Sequence, residues 1–208
     1  MKRRLAYIAA LLALSAGAVH AQDTAMSFFV TSVNPGKGGD LGGLTGADAY
    51  CNTLATAAGS SGKTWKAYLS TDAENAKDRI GSGPWYNAKG EKVADDVASL
   101  HSDKNNLTKQ TALNEKGEII NGRGDTPNRH DMLTGSKADG TAAAETCGNW
   151  TMGGEDGAAM VGHSDRTGLN DSAEAKSWNS SHPTRGGCTV KAFNGTGGDG
   201  LFYCFASN

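Results

Sequence analysis

The chain has 208 residues, with 20 Lys and Arg against 22 Asp and Glu, and 29 of its residues are glycine. That length admits one core-bearing domain rather than two, and the mild acidity argues against nucleic acid as a partner. The many glycines and few aromatics indicate turns and long loops, with no tract repetitive enough for a linker.

Lys2, Arg3 and Arg4 precede an apolar run from Leu5 to Ala18, and Val19-His20-Ala21 offers small residues at the cleavage positions. This is the pattern of a secretory signal peptide over residues 1–21, cut after Ala21. The run is shorter than the roughly 20 residues that span a bilayer, and polar Gln22-Asp23-Thr24 follows, so no membrane span is expected after cleavage. No cysteine stands at the cut to carry a lipid. Residues 22–208 are then one domain, exported to the periplasm or beyond, keeping 17 of the 20 basic residues and all 22 acidic ones for a net charge of −5.

Cys51, Cys147, Cys188 and Cys204 form an even set, which in an exported chain reads as two disulfides with three pairings open. No pair has the close spacing of a zinc knuckle.

In chain order, Ser27 to Val33 is aromatic and β-branched and is closed by Asn34-Pro35-Gly36, predicting an opening strand. Thr45 can cap a helix in which Ala47, Cys51, Leu54 and Ala58 share a face, ended by the Gly59–Gly62 segment. Trp65, Ala67 and Leu69 alternate as in a half-buried strand, with Trp65 in the core. Thr71-Asp72-Ala73-Glu74 has capping-box form and predicts a second short helix to Ile80. Trp85-Tyr86 and Glu91 to Ala94 flank a turn and read as a hairpin. Residues 95–128 are polar and weakly patterned, so loops are expected there. Strand-like runs follow at 132–134, 146–152, 189–193 and 201–205. Two front helices and a late sheet indicate α+β rather than a βαβ repeat.

The block from Gly42-Gly43-Leu44-Thr45-Gly46-Ala47-Asp48 to Cys51, followed by Trp65-Lys66-Ala67-Tyr68-Leu69-Ser70, resembles the opening of endostatin, a member of the C-type-lectin-like fold, and a group of exported bacterial proteins. The resemblance resumes at Leu133-Thr134-Gly135-Ser136, Cys147-Gly148-Asn149-Trp150, Trp178 with Gly187-Cys188, and Leu201 to Phe205; residues 95–128 match poorly. It implies two short helices, a small twisted and mostly antiparallel sheet, long loops, and nested bridges Cys51–Cys204 and Cys147–Cys188. A first-helix-to-last-strand bridge closes a loop of about 154 residues, which the chain-entropy account values at about 5 kcal/mol as an upper figure.

Sugar-binding members of that fold hold calcium with a Glu-Pro-Asn-like and a Trp-Asn-Asp triplet. Here Thr126-Pro127-Asn128 and Trp178-Asn179-Ser180 stand in the same order without the two acidic ligands, which removes most of the negative charge a calcium site needs. Asp125, Asp131, Asp165, Asn170 and Asp171 are further loop oxygens from which a different site could assemble. Trp178 suits the core better than a sugar platform. His101, His130, His163 and His182 show no i, i+4 pair, so no helical zinc motif is present. Arg123-Gly124-Asp125, between Gly122 and Thr126-Pro127, suits an exposed turn and is the tripeptide displayed by integrin ligands.

No nucleophile sits in a recognisable catalytic frame, and bridged cysteines leave no thiol for catalysis. The expectation is a secreted or periplasmic recognition module, not an enzyme, with carbohydrate as the ligand class the resemblance suggests and calcium as the candidate ion. Its site would lie in the loops from Thr126 to Asp131 and Asp156 to His182, with Asn128, Asp131, Asp165, Asp171, Trp178, Asn179 and His182 as ligand residues. The alternative is a protein-binding adhesin or surface structural module using Arg123, Gly124 and Asp125.

Overall fold

The computed structural model describes residues 26–207, so the signal-peptide reading lies outside the described residues. The elements run β1 (Phe28–Val30), α1 (Gly43–Ala57), β2 (Trp65–Ala67), β3 (Trp85–Tyr86), β4 (Lys92–Ala94), α2 (Val97–Leu100), β5 (Asp131–Leu133), α3 (Cys147–Trp150), β6 (Met160–His163), β7 (His182–Pro183), α4 (Val190–Asn194) and β8 (Gly198–Ala206). The architecture is α+β with two disulfides, Cys51–Cys204 and Cys147–Cys188. Among the described residues no helix is long and apolar enough to cross a membrane.

The sheet is organised by β8. It pairs with β1 (Phe29 opposite Cys204) and with β2 (Ala67 opposite Cys204), both antiparallel, and runs parallel to β5 (Met132 opposite Leu201). The sheet then extends antiparallel from β5 to β6 and from β6 to β7, while β3 and β4 form a separate hairpin.

Side chains alternate across a strand, and both faces of β8 are covered. Phe202, Cys204 and Ala206 pack under α1 with Phe29, Trp65, Leu133 and Trp150. Leu201, Tyr203 and Phe205 pack on the other side with Phe28, Tyr68, Trp85, Met132 and Trp178. Burial on two faces explains why Phe28-Phe29-Val30 and Leu201 to Phe205 are continuous apolar runs.

On α1, Ala47, Cys51 and Ala55 are buried at four-residue steps, which aims the Cys51 sulfur at the centre of β8 with a Cα–Cα distance to Cys204 of 5.7 Å. The second bridge, Cα–Cα 5.8 Å, ties the α3 turn to the segment before α4.

Several elements depart from expectation. Among the described residues there are four α-helical segments rather than two short helices, and α1 alone has 15 residues. It starts at Gly43 behind Gly42, whose φ of 74° serves the entry turn, so Thr45 lies inside the helix instead of capping it. The predicted helix from Thr71 to Ile80 shrinks to one 3-10 turn, Ala76–Asp78. The Thr71 hydroxyl still accepts from the Glu74 N–H, at 3.1 Å, but Arg79 is drawn into the interior to Asp48, and that tertiary pairing overrides local propensity.

Residues 147–150 form a left-handed turn rather than a strand, with φ of 47°, 60°, 57° and 66°. Such a conformation costs about 1–2 kcal/mol per non-glycine residue. It is held by the bridge at Cys147 and by Trp150, which is fully buried and donates its Nε1–H to the Ser70 carbonyl at 2.7 Å. Residues 190–194 are helical because the Thr189 side chain caps the Ala192 N–H. Within the expected loops, Asp96 and Ser99 close a reciprocal capping box on α2.

Candidate functional site

The far edge of the sheet brings separated residues together. Strand register sets Asp131 on β5 opposite His163 on β6, and Val161 on β6 opposite His182 on β7. His130 immediately precedes β5, and its ring stacks on His163 with centroids 4.2 Å apart and planes 6° apart. Gly162 permits this arrangement, since a methyl there would overlap the Trp178 carbonyl of the segment crossing β6.

The ring nitrogens converge on one carboxylate. His130 Nε2 lies 3.2 Å and His163 Nε2 3.4 Å from Asp131 Oδ1, and His182 Nε2 lies 3.7 Å from Oδ2. His163 Nε2 and His182 Nε2 are 3.1 Å apart. The side chains of Asp131, His130 and His163 are 1%, 3% and 5% exposed, whereas His182 is 36% exposed and opens to solvent.

Tautomers follow from the outer partners. His163 Nδ1 faces the Ala175 carbonyl at 2.8 Å; a carbonyl only accepts, so the proton sits on Nδ1 and the lone pair on Nε2. His130 Nδ1 donates to Asp165 Oδ1 at 2.9 Å, which likewise turns its Nε2 lone pair inward. Neither oxygen of Asp131 has a hydrogen-bond partner, so a buried carboxylate is faced by nitrogen lone pairs. Burial pushes the Asp131 carboxyl up to about 6, against the opposing pull of His182 and His130 when those rings are protonated and of the Thr196 hydroxyl. Burial, together with neighbouring His130, pushes the His163 imidazole down to about 4. Burial alone would raise Asp165, but bonds from His130 and from the Arg123 and Thr167 backbone N–H groups outweigh it and hold that carboxyl below its ordinary range.

Above the cluster lies a cleft of about 570 Å³, bordered by Arg123, Asn128, Asn170, Ser172, Glu174 and Arg185 along with His182. Gly197, with φ of 116°, lies close beside the cluster: a methyl there would stand 2.9 Å from Asn128 Nδ2 and 3.3 Å from His130 Nε2.

Of the sequence-derived candidates, Asn128, Asp131, Asp165 and His182 come together here, with Asp131 and His182 on strands β5 and β7 rather than in the expected loops. Trp178 is buried against Tyr68 and Tyr203 in the core. Asn179 is buried as well, its amide donating to the Tyr68 hydroxyl at 2.9 Å and the Lys137 carbonyl at 3.0 Å. Its Oδ1, the atom a calcium-binding triplet would use, accepts from the Ser177 hydroxyl at 3.1 Å within that buried setting. Asp171 stands in solvent beside Lys176 Nζ at 2.6 Å. In the Arg-Gly-Asp turn, Arg123 borders the cleft, while Asp125 is engaged by Lys109 at 2.5 Å and by the Gly122 N–H at 2.8 Å.

The residues that sequence reasoning missed are His130 and His163. Their i, i+4 test fails because the cluster is assembled across neighbouring strands rather than along a helix. The one available signal is that His130 adjoins Asp131 at the start of an apolar run. No protein-family model matches this chain, and comparison with curated proteins finds no match.

Proposed function

We propose that the protein is an exported, non-catalytic recognition module of the lectin-like class, and that its ligand, carbohydrate in the first instance, occupies the cleft above His182. The observation that carries this reading is the cleft's rim, in which amide, hydroxyl, carboxylate and guanidinium groups converge from separate loops on a volume that suits a small polar ligand. Arg123 and Arg185 favour a sugar bearing a carboxylate or other anion, since guanidinium groups bind such oxygens in a fork. The two disulfides fit an oxidising compartment.

A binding role is favoured over catalysis by the state of His163. Ser181 Oγ lies 3.3 Å from His163 Nδ1, and Asp131 is on the ring's other side, an outline that suggests a nucleophile, a base and an acid. Nδ1, however, already spends its proton on Ala175 and has no lone pair to take another from Ser181. Asp125, engaged by Lys109 and Gly122, shapes the loop rather than displaying a free carboxylate.

A glycan array that includes uronic- and sialic-acid structures, probed with and without added calcium, tests the reading. Binding is expected to weaken on the order of 10–100-fold in Arg185→Ala, the magnitude of one charged hydrogen bond. Silence across the array in both conditions would overturn it.

A further inference from the structure

We infer that His130, Asp131, His163 and His182 form a binding site for one divalent transition-metal ion, zinc by preference. The inference stands apart from the carbohydrate reading and needs no ligand in the cleft.

Its first support is spacing. Donors around a tetrahedral zinc, with bonds of about 2.0–2.1 Å, are separated by roughly 3.3–3.4 Å. The separations here are 3.2 Å between His130 and Asp131, 3.4 Å between His163 and Asp131, and 3.1 Å between His163 and His182. The matching atoms of His130, Asp131 and His163 all lie within 4.8 Å of one another.

The second support is orientation. His130 and His163 each commit Nδ1 to an outer acceptor, a carboxylate and a backbone carbonyl respectively. These are the outer partners that fix a metal-binding imidazole and raise its basicity. With both Nε2 lone pairs facing Asp131 Oδ1, the atoms repel unless a proton or a metal ion lies between them. Asp131 is the decisive residue: its side chain is 1% exposed and neither oxygen is hydrogen-bonded. Such a carboxylate is costly to bury unless something compensates its charge.

Donor chemistry selects the ion class. Three imidazoles and one carboxylate suit zinc and its transition-metal neighbours, whereas calcium takes six to eight oxygens. The cluster therefore differs from the calcium site that the lectin resemblance suggests. His182, the most exposed donor, sits on the cleft side, so the ion would form part of the cleft floor.

The test uses the full mature protein, stripped with a chelator and dialysed. It is titrated with Zn²⁺ and separately with Ca²⁺ by calorimetry, and with Co²⁺ by visible absorption. One equivalent of zinc is expected to bind at sub-micromolar Kd, with calcium at least 100-fold weaker, and cobalt should give the intense d–d bands of a four-coordinate site. His182→Ala, a change at the exposed edge that leaves the buried triad intact, should weaken zinc at least tenfold and alter the cobalt bands; Asp165→Asn should cost about 10–100-fold through His130. Zinc binding that is undetectable, or unchanged in folded His182→Ala and His163→Ala proteins, would overturn the inference, as would calcium binding more tightly than zinc. Should His163→Ala fail to fold, His182→Ala and Asp165→Asn decide the matter. A silent glycan array would leave these results standing.

Discussion

Two buried ionic clusters in this protein are built on opposite logic. Beneath α1, Asp48 accepts from the Ala67 N–H at 2.9 Å, from Lys66 at 2.8 Å and from Arg79 at 2.6 Å, while Arg79 also reaches Glu74 at 2.8 Å. Every charge there has its counter-charge, and both oxygens of Asp48 have donors. At the far edge of the sheet, Asp131 is buried more completely, neither of its oxygens has a hydrogen-bond donor, and its neighbours are three imidazoles rather than a permanent cation. A polar cluster kept for stability is satisfied within itself; one that leaves a carboxylate bare and surrounds it with nitrogen lone pairs is waiting for something from outside.

That contrast can be broken from either side. The largest effect is expected from Arg79→Ala, which removes a buried guanidinium and leaves Asp48 with Lys66 and the Ala67 N–H alone; it should destabilise the fold by about 2–3 kcal/mol in urea unfolding. A change within about 1 kcal/mol would mean that the Asp48 cluster is not the structural one. Next comes zinc: at 100 times its Kd it should stabilise the chelated protein by about 2.7 kcal/mol, read as an upward Tm shift that His163→Ala abolishes. Asp131→Asn should act in the opposite sense to Arg79→Ala. It removes an uncompensated buried charge, and the new amide can donate to His130 and His163, so the chelated protein should gain about 1–3 kcal/mol while losing its response to zinc. Loss of stability in that variant would show that the carboxylate is already satisfied. The smallest change is expected for Asp125→Ala, whose pair with Lys109 is about one-third exposed on both sides; it should cost at most about 1 kcal/mol.

The elements that carry the first cluster were more legible in the sequence than the cluster itself. Cys51 and Ala47 repeat at helical spacing, Trp65 and Ala67 alternate as a strand, and the late apolar run marks β8, because local periodicity reports which side of an element is buried. The chain could not show that Arg79 would enter the interior and undo the helix predicted from Thr71, since Asp48 lies 31 residues away. The turn at Cys147–Trp150 and the helix at Val190–Asn194 look strand-like in composition, and only the bridge, the left-handed backbone and the Thr189 cap decide otherwise. For the candidate site, the loop oxygens Asn128, Asp131 and Asp165 could be named in advance. His182 could be named with them, but His130 and His163 could not, because their meeting with Asp131 depends on the register between neighbouring strands.

The dependence of the sheet on β8 has a consequence for how the molecule is made. The strand that joins β1, β2 and β5, and carries one half of the longer bridge, comes after nearly all the others in the direction of synthesis. A nascent chain can form α1, the β3–β4 hairpin and the β5–β6–β7 pairs early, but β1 and β2 must wait for residues 198–206 to emerge before their edges are covered.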